Sequence, residues 1–166
     1  VYANAWVSVR EDEVIRPDGL PGIYGVVVIR PSVGVLALNE AGEMALAGQW
    51  RYTIGRYSWE IVRGGSAEGE TDMVTAARRE LREETGYEAA EWSPLGTVDV
   101  NNGVTTDVQH LFVARGLTFR GTRQDAVEEI ETRWVAFEEA RRMALDGRIT
   151  EVCSVAAILR YAAHGL

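Results

Sequence analysis

The stretch "ARRELREETGYE", residues 77–88, decides how this chain is read. It holds four glutamates and three arginines in twelve positions. Glu80, Glu83 and Glu84 stand at i, i+3 and i+4, so at about 100° per residue they share one face of a helix. Like charges at that spacing destabilise an isolated helix by roughly 0.2–0.5 kcal/mol per pair. Glutamates near a helix C-terminus also oppose its macrodipole. Two readings of the cluster compete. It is either a solvated face balanced by Arg78, Arg79 and Arg82, or a set of hard oxygen donors for a divalent cation such as Mg²⁺ or Mn²⁺, which would remove the repulsion.

The flanks bear on that choice. "RGGSAEGE", residues 63–70, places Gly64 and Gly65 directly after a predicted strand. A turn there can bring backbone groups to a ligand without side-chain obstruction. From Thr71 the period changes: Met73, Val74, Ala77 and Leu81 recur at helical spacing, and Gly86 is placed as a C-cap glycine. Strand, glycine loop, carboxylate helix and glycine stop together make a compact candidate cation site.

Further outward, "AWVSVRE" alternates, and "IRPDGLPG" supplies turn residues. "IYGVVVIR", "VGVLALN", "MALAGQWRY" and "RYSWEIV" read as strands, with "NEAGE" as a hairpin connection. After the helix, strand signals resume in "SPLGTVDV", "VQHLFVARGL" and "IETRWVAF". Two more helices are expected over "EEARRMALDG" and "ITEVCSVAAILRYAAHG". The pattern predicts one α/β domain, residues 1–166, built as a mixed β-sheet with helices on its faces.

Composition narrows the function classes. With 166 residues, the chain is long enough to bury a real core in one domain. A net charge of −8 argues against non-specific nucleic-acid binding. All 17 basic residues are arginine, whose planar fork suits phosphate. No apolar run approaches the roughly 20 residues that cross a bilayer. Cys153 is the only cysteine, within the apolar helical pattern "VCSVAAILRY", and reads as a buried small hydrophobe. A single cysteine and no visible secretion signal point to a reducing, cytoplasmic setting.

Residues 64–87 resemble the Nudix box, Gly-x5-Glu-x7-Arg-Glu-U-x-Glu-Glu-x-Gly-U, where U is a bulky apolar residue. Arg79, Glu80, Leu81, Glu83, Glu84, Gly86 and Tyr87 fill its second half without a gap. The first half departs from it. Five residues separate Gly64 from Glu70, as the pattern asks, but eight rather than seven separate Glu70 from Arg79. Counted from Gly65, the spacing to Arg79 is right and Thr71 stands in the glutamate position. A one-residue insertion near "TDM" reconciles the two. "QWRY" and "SWEIVRGG", with Val62 in place of the usual proline, look like the corresponding stretches of ADP-ribose pyrophosphatases. The N-terminal "WVSVREDEVIRPDG" and the C-terminal "WVAFEEARRMALDGRITEVCSVAAI" are also similar to that subgroup.

The resemblance implies a Nudix fold, an α/β/α sandwich with a short N-terminal β-strand extension, and Mg²⁺-dependent hydrolysis of a nucleoside diphosphate linked to another moiety. ADP-ribose and nucleotide sugars are the expected substrates. No proline stands in "VNNGVTTD", residues 100–107, where ADP-ribose enzymes often carry one, so other nucleotide sugars stay in view. It implies that Glu80, Glu83 and Glu84 ligate the cation, with the backbone carbonyl of Arg63, and that Arg79 orients the glutamates. Glu128, in the acidic segment "QDAVEEIE", is the first candidate for general base or further metal ligand, and Glu129 the second. Arg51, Arg56, Glu60 and Arg63 are the candidates for substrate contact. Trp50, Tyr57 and Trp59 could stack on a base or belong to the core. His110 reads as structural. Residues 1–30 are read as strands with a part in homodimer formation, since relatives exchange N-terminal strands. The alternatives are a Nudix hydrolase of dinucleoside polyphosphates or oxidised nucleotides, and a non-catalytic Nudix-fold nucleotide-binding module.

Overall fold

The computed structural model describes residues 2–121 and 129–164. At its centre lies a four-stranded sheet in the order β7-β4-β9-β8, with β4 at Ser32–Ala37, β7 at Val62–Gly65, β8 at Tyr87–Asp99 and β9 at Val108–Phe119. β4 and β9 run parallel while the other pairs are antiparallel, so the sheet is mixed as expected. β4 is buried along its whole length. Its side chains alternate between two cores, because successive residues of a strand point to opposite faces. Val33, Val35 and Ala37 join Phe112 and Ala114 on one side. There they meet Ala76, Ala77 and Leu81 of α1 (Met73–Thr85). Leu36 and Leu111 join the opposite core, with Met143 and Ala144 of α2 (Phe137–Leu145) and Ala157, Ile158 and Tyr161 of α3 (Val152–His164). The sheet therefore lies between α1 and the α2–α3 pair, which is the expected α/β/α sandwich.

A second antiparallel sheet has the order β10-β5-β6, with β5 at Glu43–Arg51, β6 at Arg56–Glu60 and β10 at Glu131–Ala136. The chain passes from it to the central sheet at Ile61, between β6 and β7. The third sheet is β1-β2-β3, made of Tyr2–Ala3, Val7–Ile15 and Pro21–Ile29. Val27 on β3 exchanges backbone hydrogen bonds with the 100–107 loop, from Val27 N to Val104 O (2.8 Å) and from Thr106 N to Val27 O (3.0 Å). Among the described residues, no helix is long and apolar enough to cross a membrane.

Two boundaries differ from the sequence reading. The glycine pair is not a turn after the strand but its last two residues, Gly64 pairing with Val33 and Gly65 with Ser32. β8 begins at Tyr87, straight after Gly86, rather than at Ser93. Tyr87 anchors that early start, edge-on to Phe119 at 5.2 Å and to Trp134 at 5.4 Å. A register shift between Pro94 and Gly96 lets the strand continue past a proline that could not serve a regular ladder.

Candidate active site

α1 is positioned at both ends by the residues its sequence supplies. The Asp72 carboxylate accepts from Val74 N at 3.1 Å and from Thr75 Oγ1 at 2.7 Å. These bonds hold the exposed Asp72 below its ordinary carboxylate range. At the other end Gly86 takes φ +77°, a conformation that favours glycine, and its N–H bonds Arg82 O. So fixed, the helix buries Ala76, Ala77, Glu80, Leu81, Glu84 and Thr85. Two of those six are carboxylates: Glu80 is 9% exposed and Glu84 5%. Ionisable groups are seldom buried that far without a charge to meet them. A helix whose glutamates merely met solvent would turn them the other way, so the solvated-face reading fails for Glu80 and Glu84. Glu83, whose side chain is 41% exposed, stands at the solvent edge of the cluster and is joined to it through Arg79.

Arg79 organises this end of the helix. One guanidinium nitrogen, Nη1, donates to Glu80 Oε1 at 2.7 Å and to Glu83 Oε2 at 3.0 Å. The other, Nη2, donates to the Gly65 carbonyl at 2.7 Å and lies 3.5 Å from Glu70 Oε2. Burial works against the Arg79 charge, but Glu80 and Glu83 outweigh it and raise its pKa above the ordinary value. Glu70 folds back to accept from Ala67 N at 2.8 Å. The one-residue departure in the loop is thus absorbed before the helix, and Glu70 still reaches Arg79.

Gly64 explains how the strand comes so near. A Cβ built on it would lie 2.1 Å from the Glu80 carboxyl carbon. The Glu80 carboxylate fills the space that any other residue at 64 would need. Among the described residues, no three His, Cys, Asp or Glu side chains converge as a ready metal cage, since Arg79 draws Glu80 and Glu83 to itself. The donor chemistry nevertheless fits a hard divalent cation: two buried carboxylates one turn apart on α1, beside a bare stretch of β7 backbone.

The second half of the site lies on β5 and β6. Arg51 and Glu60, on paired strands, form a two-point ion pair, Nε to Oε1 at 2.9 Å and Nη2 to Oε2 at 2.5 Å. Glu60 is 3% exposed. Burial alone would push its pKa up, but the Arg51 bonds and charge, with Ser58 and Arg63, hold it below the ordinary carboxylate range. Burial likewise opposes the Arg51 charge, and Glu60 together with the charges of Glu84 and Glu151 raises it. That coupling ties the Arg51 corner to the carboxylate helix. Arg63 Nη1 lies 3.5 Å from Glu60 Oε2 and 3.6 Å from Glu151 Oε1.

A depressed Glu60 pKa contributes stability that is present above the ordinary carboxylate range and lost as pH falls through the folded value. Arg51→Ala leaves Glu60 buried with its main partner gone, at a cost of about 3 kcal/mol. Chemical denaturation of wild type and variant near neutral pH and near pH 4 checks this. The difference between them shrinks at the lower pH, where Glu60 in the variant protonates.

The remaining sequence candidates divide. Arg56 is exposed and donates to Thr150 Oγ1 at 2.8 Å, beside Glu151 but outside the ion-pair network. Trp59 packs against the core, edge-on to Tyr57 at 5.5 Å, whereas Trp50 is exposed. Cys153 is buried, as expected, and desolvation pushes its thiol up to about 12, which leaves it inert. His110 pairs with Val33 and Thr97 within the central sheet. Glu128 lies outside the described residues, and Glu129 is exposed. Sequence reasoning missed Glu151, which accepts from Cys153 N at 3.0 Å and Ser154 N at 2.7 Å. An acidic residue just before an apolar helical run was the available signal.

This fold and this helix have relatives. Residues 28–153 match the NUDIX domain, and residues 1–27 match the nucleoside diphosphate sugar hydrolase N-terminal domain. The chain belongs to the Nudix family and is a Nudix hydrolase. It is 32% identical over 162 residues to an ADP-ribose pyrophosphatase of Mycobacterium tuberculosis, covering 96% of this chain and 78% of that one. It is 26% identical to an ADP-ribose pyrophosphatase of Bacillus subtilis, over 86% of this chain and 78% of that one. A solved ADP compounds hydrolase superposes with a TM-score of 0.86 at 18% identity, covering 98% of this chain and 88% of that one.

Proposed function

We propose that the chain hydrolyses the pyrophosphate bond of ADP-ribose or a closely related nucleotide sugar, giving a nucleoside monophosphate and a sugar phosphate, with Mg²⁺ or Mn²⁺ as its cation. The observation that carries this reading is the burial of Glu80 and Glu84 on the packed face of α1, against Gly64 and within electrostatic reach of Arg51. Two relatives named ADP-ribose pyrophosphatase support the substrate class.

Glu80, Glu84 and Glu83 would hold the cation, with the Arg63 backbone carbonyl, and it would supply positive charge to the phosphoryl oxygens and lower the pKa of water. The protein's own residues do the rest. Arg79 fixes the Glu80 and Glu83 rotamers and ties them to the Gly65 carbonyl. Arg51, braced by Glu60, presents a partly exposed guanidinium to the anionic diphosphate. Without such local positive charge, a chain at net −8 would repel that substrate. Glu128 is our choice for the general base, with Glu129 next.

We also read the protein as a homodimer joined through residues 1–30. Trp6 is 74% exposed and Ile23 67%, and Ile15, Leu20 and Tyr24 are exposed as well. Large apolar side chains left exposed along one N-terminal segment favour association. A monomer mass by sedimentation at micromolar concentration would remove this part of the reading. The lone, buried Cys153 accords with a reducing cytoplasmic compartment.

A substrate panel tests the function. With Mg²⁺, ADP-ribose and nucleotide sugars should give the highest kcat/KM, ahead of dinucleoside polyphosphates and oxidised nucleoside triphosphates, and EDTA should abolish turnover. Binding of nucleotides with no turnover across the panel would instead favour a binding module.

A further inference from the structure

We propose that Glu151 is a positioning residue for substrate binding: it holds Arg63 away from Glu60 and so keeps Arg51 in place. The proposal rests on the functional reading above and adds a residue to it.

The geometry is a contest for one oxygen. Arg51 Nη2 donates to Glu60 Oε2 at 2.5 Å, and Arg63 Nη1 stands 3.5 Å from that same Oε2. What balances Arg63 is Glu151, whose Oε1 lies 3.6 Å from the same Nη1. Arg63 is thus suspended between two carboxylates and bonds closely to neither. Glu151 is itself rigid. Its side chain is 13% exposed, and its oxygens accept from Cys153 N, Ser154 N and Ser154 Oγ, the last two at 2.7 Å. Ser154 Oγ in turn accepts from Ile61 N at 3.0 Å, at the point where the chain crosses from β6 to β7. The start of α3 is therefore pinned between Glu60 and Arg63 by one contact and pairs with Arg63 by the other.

The four charges Arg51, Glu60, Arg63 and Glu151 sum to zero. With Glu151 neutral, the attraction on Arg63 becomes one-sided, and its guanidinium moves onto Glu60 Oε2. Glu60 Oε2 has a second lone pair to offer, but a second guanidinium drawn onto it sets two like charges side by side with no Glu151 charge to offset them, and the repulsion falls on the Arg51 Nη2 contact. Arg51 Nη2 is displaced, and the cation offered to the diphosphate turns with it. This acts on binding and leaves the carboxylates of α1 untouched.

The test is steady-state kinetics with ADP-ribose and Mg²⁺, with Kd for ADP-ribose measured in parallel by calorimetry. In Glu151→Gln, KM and Kd should rise about tenfold while kcat stays within about twofold, as expected for loss of one charge partner in a partly exposed network. Glu151→Asp should recover most of the loss. Ser154→Ala loses the Ile61 contact and the hydroxyl bond to Glu151, but the Cys153 N and Ser154 N bonds still hold Glu151 against Arg63, so it should lower Tm and leave KM near wild type. In an Arg63→Gln background, Glu151→Gln should have no further effect on KM. A Glu151→Gln enzyme that loses Tm but keeps wild-type KM overturns the proposal, as does an equal KM penalty with Arg63 already neutralised. Should Glu151→Gln not fold, Arg63→Gln decides: with the competing guanidinium gone Arg51 keeps its place, so wild-type KM and Kd in that variant support the proposal, and a tenfold rise in either overturns it. Intact binding without turnover in the wild type counts against the functional reading alone, and an unchanged Kd in Glu151→Gln counts against this one.

Discussion

Glu84→Gln should lower turnover of ADP-ribose by roughly three orders of magnitude while the folded chain keeps its Tm. The size follows from what the residue is asked to do. Removing one anionic ligand from a site that stabilises charge on a phosphoryl group loses about 4 kcal/mol of transition-state stabilisation, near a thousandfold in rate. Glutamine keeps the shape and an acceptor oxygen, so a side chain that is 5% exposed leaves no cavity behind. The substitution also relieves the like-charge spacing with Glu80 on the helix. Product release under saturating substrate reads the rate, and a thermal melt reads the fold. Folded protein with turnover within tenfold of wild type removes Glu84 from the cation site and, with it, the proposed mechanism. If the variant is inactive because it is unfolded, Glu80→Gln repeats the test one turn earlier on the same face.

The contrast with Arg51→Ala is instructive, because the two halves of the site fail differently. Glu84 is buried on a helix that is already capped at both ends, so its loss affects chemistry before folding. Glu60 is buried on a strand with Arg51 as its main partner, so the loss of Arg51 destabilises the fold as well as the site.

How much of this was legible depends on the range of the interaction. The carboxylate helix was readable almost to the residue, because the apolar spacing and Gly86 are local signals. A mixed sheet with helices on its faces also followed from the order of strand and helix signals, and the α/β/α sandwich from the resemblance to the Nudix box; the two cores on either side of β4 bear it out. Pairings that join distant segments were not readable. The parallel contact of β4 with β9 links Ser32 to Gln109, and no periodicity within either strand specifies the other. The Arg51–Glu60 ion pair depends on the register of two strands, which the short connection at Tyr52–Ile54 sets. Glu151 was missed for the same reason, because its partner Arg63 lies on another element and their proximity exists only after α3 has packed. Gly64 was noticed for the wrong property. Its value is not freedom to turn, for it sits in a strand, but the absence of a Cβ facing Glu80.

That difference gives the second large effect. Gly64→Ala places a methyl group 2.1 Å from the Glu80 carboxyl carbon and 2.2 Å from Oε1. Gly64 does not adopt a positive φ, so the backbone itself accepts alanine. The clash falls on the far end of a side chain and not on backbone, so the carboxylate yields before the strand does. Glu80 then leaves the position in which Arg79 Nη1 holds it at 2.7 Å, and Arg79 keeps only its Glu83 and Gly65 bonds. A misplacement of about 1 Å at a reacting centre can lower the rate by roughly 10²-fold. Gly64→Ala should therefore reduce kcat by at least about that factor, with Tm lowered by only a few degrees. Gly65→Ala is the matched control, because a Cβ there meets nothing within 4 Å and should leave kcat near wild type. Full activity in Gly64→Ala would show that the Glu80 carboxylate has no fixed place in the reaction. A variant that loses its fold and its activity together would show instead that the strand, and not the carboxylate, gives way.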